Sequence, residues 1–210
     1  MFQLYTSALS GNGIKPLLAC SFLKLNPRVE TINVYIGEGQ SARYLEINPA
    51  GTIPFLVDNS FALSESNAII QYISEKYGDN KLYSSDPKER AYISKWLFWE
   101  SSSWQPELIN NLSQHVGHIL GPKFMEKADN LPNWDFVGIK QLLAVLENEL
   151  EEKEYITGKN ISLADISISG MAMYFKAIGF PFSKYQNFNR WFNSIAMTKE
   201  WKSCVIEPWI

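Results

Sequence analysis

Apolar positions in the first 78 residues change their spacing several times, and each change marks an element. Phe2 to Thr6 reads as a short strand. Ile14, Leu18, Phe22 and Leu25 then recur at helical spacing, which predicts a helix from about Gly13 to Leu25. Pro16 is tolerated there if the helix starts near Asn12 or Gly13, because a first-turn N–H has no intrahelical acceptor. Ile32, Val34 and Ile36 alternate with polar or aromatic residues and predict a second strand. Strand, helix, strand at this length implies a parallel pair with a right-handed crossover. Two apolar runs follow, Ile53 to Val57 and Phe61 to Leu63, and Asp58-Asn59-Ser60 between them suits a tight hairpin. Ile69, Ile73 and Tyr77 share one face of a helix that begins near Glu65-Ser66 and that Gly78 can end.

Beyond residue 78 the alternation disappears. Asp79 to Asp86 is polar and turn-rich, and Ser84-Ser85-Asp86-Pro87 is a helix-start signal, so the expected boundary lies there. Tyr92, Trp96 and Trp99 form one apolar stripe, and Ile93, Leu97, Trp104 and Leu108 form another; a helix apolar on two sides lies between partners. Pro106 is expected to kink or end it. Phe136 to Leu150 and Lys184 to Ala196 give further helices, the second packed by Phe188, Trp191, Phe192 and Ile195. Ser162 and Asp165 form a capping-box-like pair opening an apolar helix through Met173, a folding device and not a catalytic one. The predicted fold class is an α/β domain over residues 1–78, built as βαβ–ββα in the thioredoxin-like arrangement. An all-α helical bundle over residues 86–210 follows it.

Composition narrows the function. With 46% hydrophobic and 14% aromatic residues, 210 residues suffice for two compact cores and argue against disorder. Nineteen basic residues against 22 acidic ones, with no basic stripe, make nucleic acid a poor partner. Cys20 and Cys204 are scattered and neither is in a CxxC, which points to a reducing compartment without disulfides. No signal-peptide pattern and no apolar run long enough for a bilayer are present, so the expectation is a soluble, cytoplasmic protein. His115 and His118 are three apart, but two ligands without an acidic or cysteine partner nearby do not make a metal site; surface histidines are the plainer reading, and no metal is expected.

The chemistry-bearing stretch is Asn48 to Ile70. Asn48-Pro49-Ala50-Gly51 is turn chemistry, and Pro54 at the start of an apolar run is a candidate cis peptide that would turn the Ile53 backbone outward, toward an extended peptide. The hydroxyl of Ser66 and the amides around it form an anion site at a helix start, and Glu65 offers a carboxylate to an amine. Together these describe a receptor for a small γ-glutamyl peptide. On local features alone, an ordinary hairpin followed by a capped helix explains them at least as well. The same holds for Ser10 in the loop Ser10-Gly11-Asn12-Gly13. Its hydroxyl can donate to a thiolate and lower a thiol pKa, or it can simply cap the helix.

Asn48-Pro-Ala-Gly-Thr-Ile-Pro54 followed by Glu65-Ser-Asn-Ala-Ile69 resembles the glutathione-binding half of the glutathione transferase superfamily. Ser10-Gly11-Asn12-Gly13-Ile14-Lys15 is similar to the Ser-x-Asn-x-x-Arg pattern of its phi class and bacterial relatives, and Gly158 to Asp165 resembles a further family segment. The resemblance implies a serine-type transferase that conjugates glutathione, as co-substrate and without another cofactor, to small apolar electrophiles, usually as a homodimer. Ile53 and Pro54 would pair with the cysteinyl backbone, and Glu65 and Ser66 would hold the γ-glutamyl end. Ser10 would activate the thiol, with Asn12 as second candidate and Ser7 as third. The family's cations after Gly-Glu are replaced by Gly39 and Gln40, leaving Gln40 as a neutral donor, and Thr52 stands where phi-class members often carry Gln. The competing readings are a glutathione-dependent peroxidase, isomerase or dehalogenase, or a non-catalytic binding, regulatory or structural member. A thiol–disulfide oxidoreductase is disfavoured by Ser10 and Gly13.

Overall fold

The computed structural model describes residues 2–120 and 136–206, without the side chains of 113–115 and 117–120; the side chains of His115 and His118 lie outside the described residues. Four strands form one sheet in the order β2-β1-β3-β4. Strand β1 (Gln3–Thr6) runs parallel to β2 (Arg28–Thr31) and antiparallel to β3 (Phe55–Asp58). β3 turns through Asn59-Ser60 into β4 (Phe61–Leu63), with Leu56 opposite Leu63. Alternation along the strands divides the core between the two sheet faces. Leu4 and Leu56 face helices α1 (Gly11–Phe22) and α3 (Ser66–Tyr77), meeting Ile14, Leu18, Ile69 and Ile73. Tyr5 and Phe55 face the other way, against Ile32 and Tyr44 of α2 (Ala42–Ile47).

Two expectations in this part need correction. The second strand is Arg28–Thr31, not the alternating Ile32-Val34-Ile36. β2 is an edge strand with largely exposed side chains, Val29 among them, so backbone pairing and not an apolar face defines it. Val34–Ile36 is a 3₁₀ turn, started by the Asn33 side-chain Oδ1 accepting from Tyr35 N–H and closed by Gly37 at φ 93°. Helix α1 starts earlier than expected, with Ser10 as its cap, and ends at Phe22, before Lys24 takes a positive φ. Pro16 therefore stands in the second turn and not the first, and removes the N–H that the Asn12 carbonyl would otherwise meet.

Helices occupy the remainder of the described chain. Asp86 caps α4 (Pro87–Trp99), its carboxylate accepting from the N–H groups of Lys88 and Glu89 at 2.9 and 3.0 Å. A π-helical turn, Glu100–Trp104, leads directly into α5 (Gln105–Leu120). Pro106 was expected to kink or end the helix, yet it lies in the first turn of α5. The widened π turn, in which Gln105 N–H donates to the Glu100 carbonyl, shifts the bonding just ahead of the proline. Then come α6 (Val137–Glu149), α7 (Leu163–Ala177), α8 (Gln186–Ala196) and α9 (Lys199–Cys204). α9 has no counterpart in the sequence reading, because six residues carry too little periodicity; a Thr198 cap and the buried Trp201 hold it.

α7 is the axis of the helical part, with every residue from Leu163 to Phe175 buried. Asp165 starts it, accepting from Ser162 N–H, Ile156 N–H and Trp191 Nε1–H, each at 2.8 Å. α7 also crosses α1 at two glycines. A Cβ on Gly170 would stand 2.9 Å from the Gly11 carbonyl oxygen, and one on Gly11 would stand 2.6 Å from the Met171 sulfur. At this crossing Gly11 N–H donates to the Tyr174 hydroxyl at 2.8 Å, tying the sheet domain to the helices.

Candidate active site

A cavity of about 440 Å³ opens where the sheet domain meets α4 and the π turn. Thr52, Ile53, Pro54, Glu65 and Ser66 form one wall, and Leu97, Phe98, Ser101 and Gln105 form the other, with Asn12 between them. The first wall is pinned from behind. Asn48 Nδ2 and the Tyr44 hydroxyl both donate to the Thr52 carbonyl, at 2.8 and 2.7 Å. The Ile53–Pro54 bond is cis, as Pro54 led one to expect. Neither the N–H nor the C=O of Ile53 pairs with another backbone group among the described residues, so both remain open to a peptide beside them. Glu65 holds φ 69°, an unusual conformation for a residue with a side chain, at the start of α3.

Ser66 is the hub. Its Oγ lies 3.3 Å from Lys15 Nζ and 3.2 Å from Asn12 Oδ1. An ammonium only donates, so the Ser66 proton goes to Asn12 Oδ1 and fixes which way that amide faces. The Asn12 NH₂ is then the end left for a ligand. The α1 amides point to the same residue. Gly11 N–H is taken by Tyr174 and Gly13 N–H by Ser10 Oγ, while Asn12 N–H has no acceptor among the described residues. Asn12 thus presents two donors at the start of a helix.

Beneath Ser66 lies a buried ion pair. Lys15 Nζ is 2.8 Å from Glu100 Oε1, and both side chains are fully buried. Glu100 Oε2 accepts from Asn67 Nδ2 at 2.9 Å, and Asn67 Oδ1 accepts from the Ser167 hydroxyl at 2.6 Å. Burial pulls the Lys15 pKa below its ordinary value, against the opposing attraction of Glu100 and, more weakly, Glu65. This network runs through α1, α3, the π turn and α7, and so fixes the cavity floor to both domains.

Of the residues singled out in the sequence, Asn12, Thr52, Ile53, Pro54, Glu65 and Ser66 meet in this cavity. Ser10 and Gln40 do not line it. Ser10 is 9% exposed, its Oγ accepts from Gly13 N–H at 3.2 Å, and it sits against the phenol of Tyr35; an N-cap must turn its oxygen back onto its own helix. Ser7 is likewise committed, accepting from Leu9 N–H at 3.3 Å. Gln40 ends a 3₁₀ turn folded onto Gly51, with its amide nitrogen over the glycine. The sequence led one to expect a second-substrate wall from the helical residues without identifying its members Phe98, Ser101 and Gln105, and the Lys15–Glu100 pair was missed. A charge inside the Trp96–Trp104 aromatic run, and another between Ile14 and Pro16, were the available signals.

Comparison with known proteins places these elements among relatives. Residues 4–81 match the family model described as the N-terminal domain of glutathione S-transferase, and residues 115–198 match that of its C-terminal domain. Among solved structures, glutathione transferase F2 from Populus trichocarpa is 26% identical with a TM-score of 0.81, covering 97% of each chain. A Bombyx mori glutathione transferase is also 26% identical, with a TM-score of 0.80 over 93% of this chain and 87% of that one. A delta-class glutathione transferase from Nilaparvata lugens, at 24% identity, shares the fold with a TM-score of 0.83 over 98% of this chain and 93% of that one.

Proposed function

Because this chain belongs to the glutathione transferase superfamily, we propose that it binds glutathione in the Asn12–Ser66 cavity and transfers its sulfur to small apolar electrophiles. The observation that carries this reading is the Lys15–Ser66–Asn12 chain beside the open Ile53 backbone. The Ser66 backbone N–H at the start of α3, with an ammonium beneath the residue, receives the γ-glutamyl carboxylate, and Glu65 takes the adjacent ammonium. The Ile53 N–H and C=O pair with the cysteinyl backbone. The sulfur then points at Asn12. The thiol releases its proton to solvent, and the Asn12 NH₂ and N–H, aided by the helix dipole, hold the thiolate. That thiolate attacks the carbon of an electrophile resting on Leu97 and Phe98; a C–S bond forms and the leaving group departs with its electron pair. Ser10 supports this indirectly, by capping the helix that carries Asn12. The assembly is a homodimer in a reducing, cytoplasmic setting, consistent with two free cysteines.

The test compares Asn12→Ala with Ser10→Ala, using calorimetry with glutathione, thiolate absorbance and conjugation of an aryl halide. A hydrogen bond to a charged group contributes about 1.5–3 kcal/mol, so Asn12→Ala should lower kcat/KM by roughly 10–100-fold and raise the pKa of the bound thiol. Ser10→Ala should lose about 0.5–2 kcal/mol of stability and leave the thiol pKa in place. The reverse pattern returns the role to Ser10. Absence of any heat with glutathione overturns the enzyme reading in favour of a regulatory or structural module.

A further inference from the structure

The N–H groups of Gly11, Asn12 and Gly13 open α1 without an intrahelical acceptor, since Ile14 N–H is the first to reach back, to the Ser10 carbonyl at 2.9 Å. Ser10 Oγ takes Gly13 N–H, and Asn12 N–H has no acceptor among the described residues. Gly11 N–H is taken from the other domain. Its acceptor is the Tyr174 hydroxyl of α7, 163 residues away in the chain, at 2.8 Å. The start of α1 thus has a local cap in Ser10 and a distant one in Tyr174.

The sequence of α7 brings that hydroxyl to the helix end. Gly170 and Tyr174 are four residues apart and share the face turned to α1. A Cβ on Gly11 would stand 3.1 Å from Tyr174 Cε2, so the missing side chain is what lets the phenol lie against the first turn. Tyr174 is buried, and a buried phenol needs partners for both its oxygen and its proton. The oxygen accepts from Gly11. The proton goes to the Tyr35 oxygen, which also accepts from the Ser10 hydroxyl. Tyr35 is half-buried and belongs to the 3₁₀ turn Val34–Ile36. Two phenols therefore hold Ser10 and Gly11, the two residues that precede Asn12.

Neither phenol lines the cavity. The titratable group facing Tyr174 is Tyr35, while Lys15, Glu65 and Glu100 lie on the Ser66 side of the site. A donor stabilises a developing anion most when its direction is set beforehand, because no reorganisation is then needed. The direction of Asn12 follows from where Ser10 and Gly11 are held.

We propose that Tyr174 is a positioning residue for thiol ionisation: together with Tyr35 it fixes Ser10 and Gly11 so that Asn12 presents its two donors to the sulfur. This rests on glutathione occupying the Asn12–Ser66 cavity. Tyr174 acts through Asn12 and does not itself touch the sulfur.

Tyr174→Phe keeps the ring and removes the oxygen. One neutral hydrogen bond corresponds to about a two- to tenfold change in an equilibrium, so the pKa of the bound thiol should rise by roughly 0.3–1 unit. Conjugation of an aryl halide should show kcat lower by that factor below the thiol pKa, with KM for glutathione changed less than about twofold. At high pH, where the thiol is ionised in both proteins, the two rates should converge. A loss of folded protein would instead lower kcat at every pH and leave the thiol pKa in place. Tyr35→Phe removes the acceptor of the Tyr174 proton away from the α1–α7 crossing, and should move the pKa the same way by less. It carries the test where Tyr174→Phe does not fold. A thiol pKa that is unchanged or lowered in the folded variant overturns the proposal. Asn12→Ala separates this from the reading it rests on. If Asn12→Ala raises the thiol pKa and the phenol variants do not, the role of Tyr174 falls alone. If Asn12→Ala leaves it in place, or the unaltered chain gives no heat with glutathione, both fall.

Discussion

Replacing Lys15 by methionine tests whether the buried pair under Ser66 holds the cavity together. At 2.8 Å the attraction between Lys15 and Glu100 is about 6 kcal/mol at an effective dielectric constant of 20. Removing both charges from water costs several kcal/mol per ion, so the intact pair sits near break-even. Removing one partner does not. Lys15→Met leaves Glu100 charged and fully buried, with Asn67 Nδ2 as its remaining donor, and should destabilise the fold by about 3–5 kcal/mol. Against a total of roughly 5–15 kcal/mol, that is a large share. The double variant Lys15→Met/Glu100→Leu removes the stranded charge and should recover most of the loss. The assay is urea unfolding of both variants and Glu100→Leu, closed as a double-mutant cycle. A coupling of about 2 kcal/mol or more is expected. The double variant should still bind glutathione poorly, since Ser66 has lost the cation beneath it. A loss below about 1 kcal/mol for Lys15→Met, or full glutathione affinity in the double variant, would refute the reasoning.

Two further outcomes follow from other parts of the fold. Asp58, at the end of β3, accepts from Lys76 Nζ at 2.6 Å, the Tyr77 hydroxyl at 2.7 Å and the Tyr72 hydroxyl at 2.8 Å, and these partners hold its pKa below the usual carboxylate range. Its stabilisation is complete above the unfolded value of about 3.9 and is lost as pH falls through the lowered folded value. Asp58→Asn should therefore flatten the acid limb of melting temperature against pH; an unchanged limb assigns it to other carboxylates. Gly170→Ala places a Cβ 2.9 Å from the Gly11 carbonyl oxygen and should cost about 1–3 kcal/mol by thermal unfolding, with a wild-type melting temperature as the contrary result.

The parts of this structure written in local pattern were legible in the sequence. The hairpin at Asp58-Asn59-Ser60, the helix opened at Ser66, the Asp86 cap and the Ser162–Asp165 box each depend on residues within a few positions of one another. So does the cis bond at Pro54. What the sequence hid is set by distance. β2 forms because its backbone meets β1, and its side chains carry no matching stripe. The Lys15–Glu100 contact joins residues far apart in the chain, and only the crossing of α1 with the helical domain brings them together. Ser10 shows the limit in another way. The same hydroxyl at the same helix start accepts from Gly13 N–H as a cap and still carries a proton of its own, and where that proton points is set by the tertiary surroundings, which no local spacing encodes.

This also bears on how a cavity without Gly39 or Gln40 cations can still hold an anionic peptide. Exposed cations at those positions would act through water, where salt screens them within about 10 Å. Lys15 acts instead from a dry site directly beneath Ser66, whose backbone N–H is the proposed carboxylate donor. A serine that accepts from an ammonium is a stronger donor through its own proton, because each bond polarises the next. Here that proton points to Asn12, so the charge of Lys15 is relayed to the residue proposed to face the sulfur. Glu100 balances the lysine from the opposite side and keeps it from burying alone. The recognition end and the sulfur end of the proposed ligand are in this way served by one buried cation, which explains why its two contacts, Ser66 and Glu100, come from different domains.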